Sequence, residues 1–90
     1  MISREQALFI AKSQVAVIAA NMSDEFLVIE ELTKEVEEGW VFFYDSKSFV
    51  ETGDPMAALA GNCPIFVRRS GKVAMLPTGR PWEDSVKQLS

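Results

Sequence analysis

Gly39–Pro64, GWVFFYDSKSFVETGDPMAALAGNCP, decides the fold of this 90-residue chain. It opens on Trp40-Val41-Phe42-Phe43-Tyr44, four aromatic side chains in five positions. Side chains alternate across a strand, so Trp40, Phe42 and Tyr44 share one face, and Val41, Phe43 and Asp45 the other. Both faces are apolar over most of this length. That predicts a central strand over 40–45, with a helix on one side and loops or a partner on the other. Ser46 to Gly53 reads as a connection with a helical turn around Phe49 and Val50. Asp54-Pro55 supplies an N-cap followed by proline at the first helical position. Met56 to Ala60 then reads as a short helix, which Gly61 ends in the left-handed conformation.

Upstream, Ser3-Arg4-Glu5-Gln6 has the form of a capping box. Leu8, Ala11, Val15, Ile18 and Met22 follow at three- and four-residue spacing, which predicts a helix over 4–20 with Asn21 as its stop. Phe26 to Ile29 reads as a strand. Residues 30–38 read as its extension and turn, with a helix over 29–38 as the alternative. Downstream, Pro64 precedes a strand over Ile65–Arg68. Ser70-Gly71 makes a two-residue hairpin turn, and Lys72–Leu76 returns. Pro81 opens a last helix with Glu83 and Asp84 in its first turn and Trp82, Val86 and Leu89 on one stripe. The expectation is a single α+β domain over 1–90: a four-stranded, mainly antiparallel sheet packed with an N-terminal helix, a short central helix and a C-terminal helix. No repeat, linker or low-complexity tract interrupts it.

The net charge of -4 is unevenly spread. Carboxylates crowd residues 24–54, whereas none lies between Pro55 and Trp82, where Arg68, Arg69, Lys72 and Arg80 fall. An acidic chain lacks the basic face that nucleic acid requires. The acidic half suits a cationic protein partner, or is simply a solvated surface that keeps a small domain soluble. Arg4, Glu5 and Gln6 break any apolar leader, and no apolar run approaches the roughly 18 residues that span a bilayer. A cytoplasmic location without membrane attachment is therefore expected.

The chain contains no histidine, which removes the commonest general base and metal ligand and rules out Ser–His and Cys–His pairs. Cys63 is the single cysteine, so no internal disulfide forms; it reads as a buried, inert thiol. Asp45, Glu51 and Asp54 do not follow the calcium-loop pattern. Trp40 and Trp82 read as core. No catalytic residue, metal or cofactor is expected.

Gly39-Trp40 with Phe42 and Tyr44, then Phe49-Val-Glu-Thr-Gly-Asp54, then Leu59-Ala-Gly-Asn62 with Pro64 resembles the bacterial YrhB / immunity protein 35 family. Ile65–Val67, Gly71 and Pro81–Val86 agree with the continuation of that pattern. Arg68-Arg69-Ser70-Gly71 departs from it, as does Thr78-Gly79. The resemblance implies a non-catalytic bacterial protein that binds and neutralises a cognate toxin. One branch of the family implies instead a small heat-stable chaperone-like protein that binds unfolded clients. On the first reading, Glu30, Glu31, Glu35, Glu37 and Glu38 supply long-range attraction to the toxin, and Arg68 and Arg69 are further partner-binding candidates. The chain acts as a monomer or a homodimer.

Overall fold

Three helices and two antiparallel sheets make an α+β fold in this computed structural model, which describes residues 1–58 and 63–89, with only the backbone at Leu89. The elements are α1 (Arg4–Asn21), β1 (Phe26–Val28), a 3-10 turn (Glu30–Leu32), β2 (Lys34–Val36), β3 (Gly39–Phe42), β4 (Tyr44–Ser46), α2 (Lys47–Thr52), a second 3-10 turn (Pro55–Ala57), β5 (Ile65–Arg68), β6 (Val73–Met75) and α3 (Trp82–Leu89). One sheet runs β2-β3-β5-β6; the other pairs β1 with β4.

The aromatic run forms two strands. The β3–β5 ladder runs from Gly39↔Arg68 to Phe42↔Ile65. The next residues in register are Phe43 and Pro64, whose backbone groups point away from each other, Pro64 O accepting from Leu76 N on the β6 side. The chain changes partner here: Phe43 O accepts from Ile29 N, and β4 pairs with β1. The alternation survives the break. Trp40, Phe42 and Tyr44 enter one apolar cluster, whereas Val41 is buried in the other with Phe43 packed beside it.

Each face of the larger sheet carries a helix. α1 lays Ala7, Ala11, Val15 and Ala19 onto the face built from Trp40, Phe42, Ile65 and Val67. These positions recur every four residues, and their small side chains let helix and sheet approach closely. The expected face is thereby rotated: Leu8 and Ile18 flank it, and Met22 is 60% exposed as the residue after the helix. Ser3 caps α1 through the expected box, accepting from Gln6 N at 3.2 Å while Gln6 Oε1 accepts from Ser3 N at 2.8 Å. On the other face Val86 of α3 packs with Val41, Phe66 and Leu76. Trp82 is half-buried at the margin of this cluster, and Cys63 is half-buried, not buried as expected.

Three further expectations change. The hairpin partner of the tryptophan strand is β2, which pairs Lys34↔Val41 to Val36↔Gly39, because the Glu30–Leu32 turn separates β2 from β1. The short central helix comes earlier than expected, over Lys47–Thr52. Ser46 Oγ caps it, and Gly53 closes it at φ 72 with its N–H on Phe49 O. Asp54 caps only a 3-10 turn, with Oδ1 on Met56 N at 3.0 Å, and the chain turns extended at Ala58. Leu59–Asn62, including the expected Gly61 stop, lies outside the described residues. Ser46 Oγ also donates to Ala57 O, so one buried hydroxyl joins α2 to this turn.

Candidate functional site

The seven residues expected to meet a partner occupy two corners of the molecule. At the first, Arg69 leaves the end of β5 and clamps the β2–β3 turn. Its Nε donates to Glu37 O at 3.0 Å, and its Nη2 donates to Val36 O at 2.7 Å and Glu35 Oε2 at 3.2 Å. Its guanidinium lies 4.6 Å from the ring centroid of buried Trp40, and Arg69 N donates to Glu38 O at 3.2 Å. The planar fork of arginine suits this work, since it can donate in several directions while one face stacks on the indole. Arg69 is therefore engaged by its own chain. Arg68 is half-buried opposite Gly39, and its N–H closes the β5–β6 turn on Lys72 O at 2.8 Å.

Glu38 also rims a groove of about 210 Å3 on the opposite side, floored by Val36, Trp82 and Val86 of the second core and edged by Glu83 and Lys87. This groove couples the acidic turn to α3, although the two are far apart in sequence.

Glu30 and Glu31 stand at the second corner, on the exposed 3-10 turn after β1. Here the attachment is light: Lys12 Nζ of α1 lies 3.1 Å from Glu30 Oε2, with both side chains more than half exposed. Below them a trough of about 370 Å3 opens between Val15 and the strand residues Phe26, Leu27 and Val28. It adjoins a second depression, of about 400 Å3, that shares Phe26 and Leu27 and runs on past Ala16, Ala19 and Ala20 to Asp24 and Glu25. Around the end of α1, a polar hollow of about 490 Å3 gathers Asp24, Glu25, Lys47 and Glu51. Lys47 Nζ lies 3.4 Å from Glu25 Oε2. Nothing in their spacing along the chain brings these groups together: the β1–β4 pairing, which places the start of α2 beside the end of α1, carries them in.

Among the described residues no group of three or more His, Cys, Asp and Glu is placed to hold a metal ion. The Tyr44 hydroxyl is held above its ordinary pKa of 10 by burial first and by the neighbouring Cys63 side chain second. No described helix is long and apolar enough to cross a membrane.

Comparisons with known proteins bear on this surface. The family model described as immunity protein 35 matches residues 5–88. The uncharacterized protein YrhB of Escherichia coli strain K12 is 38% identical over 58 residues, covering 63% of this chain and 62% of that protein, so the match spans less than two thirds of the relative's length. No solved structure matches.

Proposed function

We propose, because the chain belongs to the immunity protein 35 family, that it is a non-catalytic immunity protein which binds a cognate protein toxin and neutralises it by occlusion in the bacterial cytoplasm. The observation that carries this reading is the family match over almost the whole chain. The acidic corners support it: Glu30, Glu31, Glu35, Glu37 and Glu38 present carboxylates that accelerate encounter with a cationic partner. Apolar surface in the adjoining troughs supplies the area that retains the partner once met. Arg68 and Arg69 shape this surface from below, Arg69 by holding the turn that displays Glu35, Glu37 and Glu38. Neither nucleic acid nor a cofactor takes part.

Co-expression with a toxin domain of a bacterial polymorphic toxin, taken from a neighbouring open reading frame, tests the reading. Growth is restored when the chain is present, and the purified pair forms a stoichiometric complex whose association slows as salt rises. Unrestored growth, or an association rate indifferent to salt, would overturn immunity or the acidic steering respectively.

A second reading is favoured by one observation. The outer side of α1 exposes Phe9 (72%) and Val17 (57%), with Met22 beyond its end, and such surface suits chaperone-like capture of unfolded clients. Suppression of aggregation across several unrelated clients, without one tight partner, would select it.

A further inference from the structure

Among the described residues, β1 has a strand partner on one side alone, β4, and its other edge faces a pair of troughs. The register sets Phe26↔Ser46, Leu27↔Asp45 and Val28↔Tyr44. Lys47 N donates to Glu25 O at 2.9 Å and Ile29 N to Phe43 O at 2.8 Å, which makes Glu25 and Ile29 members of hydrogen-bonded pairs with the β4 side. In an antiparallel ladder such pairs alternate, so Leu27 also bonds toward β4, whereas the N–H and C=O groups of Phe26 and Val28 point outward. A two-stranded sheet of three residues per strand is marginal alone; packing of Phe26 and Tyr44 with α1 supports this one, and its outer edge leaves room for a third strand.

The space beside this edge fits a strand. The two troughs that meet at Phe26 and Leu27 run its whole length, and the wall opposite is α1 with Ala16, Ala19 and Ala20, side chains too short to fill the gap. Charge chooses the occupant. Asp24 and Glu25 stand at one end of β1 and Glu30 and Glu31 at the other. A second copy of β1 pairing antiparallel would set carboxylates against carboxylates across the new ladder, which is unfavourable. Lys12 and Lys47 offset Glu30 and Glu25, leaving the rim net acidic.

We propose that the outer edge of β1 takes up an extended segment of the toxin as an added third strand, a segment with an apolar centre and basic residues at both ends. Main-chain bonds to Phe26 and Val28 supply the docking, the troughs take alternate side chains, and the flanking carboxylates select the basic ends. This assignment rests on the immunity reading for the identity of the partner, though the edge itself does not.

Amide exchange on the full chain tests it with two synthetic nine-residue peptides. Both have the same alternating valine–threonine centre; one is flanked by arginines, the other by glutamates. The arginine-flanked peptide at millimolar concentration slows exchange at Phe26 and Val28 by about tenfold, as new backbone bonds require, and the glutamate-flanked peptide does not. Equal effects from both peptides, or none from either, overturn the proposal. In co-expression, Val28→Pro removes one outward N–H; because it also touches the core, Asp24→Lys with Glu31→Lys, both exposed, provides the second variant. Both variants lose protection while remaining folded. Full protection by the folded variants would sink strand addition and leave immunity standing. Slowed exchange with the arginine-flanked peptide, in a wild-type chain that gives no protection, would sink immunity and leave the edge standing.

Discussion

The two acidic corners differ in what holds them. At the β2–β3 turn, Arg69 ties Glu35, Val36 and Glu37 together and lies on Trp40, so the carboxylates are displayed by a device that reaches into the core. At the Glu30–Leu32 turn, one exposed ion pair links Glu30 to Lys12 of α1, and the side chains project into solvent. The same residue type therefore has two energetic meanings. Disturbing the first corner costs stability, whereas disturbing the second changes the field the protein presents with little effect on the fold.

The sharpest way to break this distinction is Gly39→Ala, at the strand end beneath the first corner. A Cβ there would collide with the Val67 carbonyl oxygen and the Arg68 Cα, both backbone atoms that cannot move aside independently, and the φ of 157 disfavours a side chain as well. The expected loss is about 3 kcal/mol or more in urea unfolding. A near-neutral result would mean that the turn is not seated on β5 as described.

Arg69→Ala comes next, at about 2–4 kcal/mol, because several charge-assisted bonds and the stacked cover on Trp40 go together. Arg69→Lys retains the charge but not the fork, and should recover less than half of that loss. Full recovery by lysine would reduce the clamp to a simple charge effect.

Ser46→Ala probes the link between β4 and the polar hollow. It removes the cap on Phe49 N and the bond to Ala57 O, for an expected loss of about 1–2 kcal/mol. At the second corner, Glu30→Gln should cost less than about 0.5 kcal/mol, since exposed pairs contribute little, yet it should slow association with the toxin at low salt. A stability loss comparable to that of Arg69→Ala would erase the contrast between the corners.

Tyr44 gives the smallest effect at neutral pH. Its hydroxyl titrates above 10, so the folded state holds the phenolic proton more tightly than the unfolded chain does. That contribution is complete below pH 10 and is lost as pH rises through the raised value. Alkaline unfolding followed by tyrosine absorbance should steepen above pH 10, and Tyr44→Phe should flatten it.

Much of this architecture was legible because it is local. The capping box at Ser3, the alternation of Trp40, Phe42 and Tyr44, the β5–β6 hairpin (with a three-residue loop over 69–71 in place of the two-residue Ser70-Gly71 turn) and the α3 stripe through Val86 depend on residues a few positions apart. The helix over Lys47–Thr52 was harder to see, since its cap Ser46 sits in a polar stretch with little apolar periodicity, while Asp54-Pro55 offered a stronger signal for what is only a 3-10 turn. The acidic candidates were visible as composition, but not the division between clamped and free.

The sequence by itself determined the α+β composition, the two-faced aromatic strand and the excess of carboxylates over 24–54. Those follow from side-chain period and charge, which are properties of neighbouring residues. Only the tertiary structure decided that the aromatic strand changes partners at Phe43, that β1 keeps an open edge beside the alanines of α1, and that Arg69 serves the turn at Glu37. Each of these joins groups tens of residues apart, and no local propensity records which distant backbone carbonyl or strand edge a residue will meet.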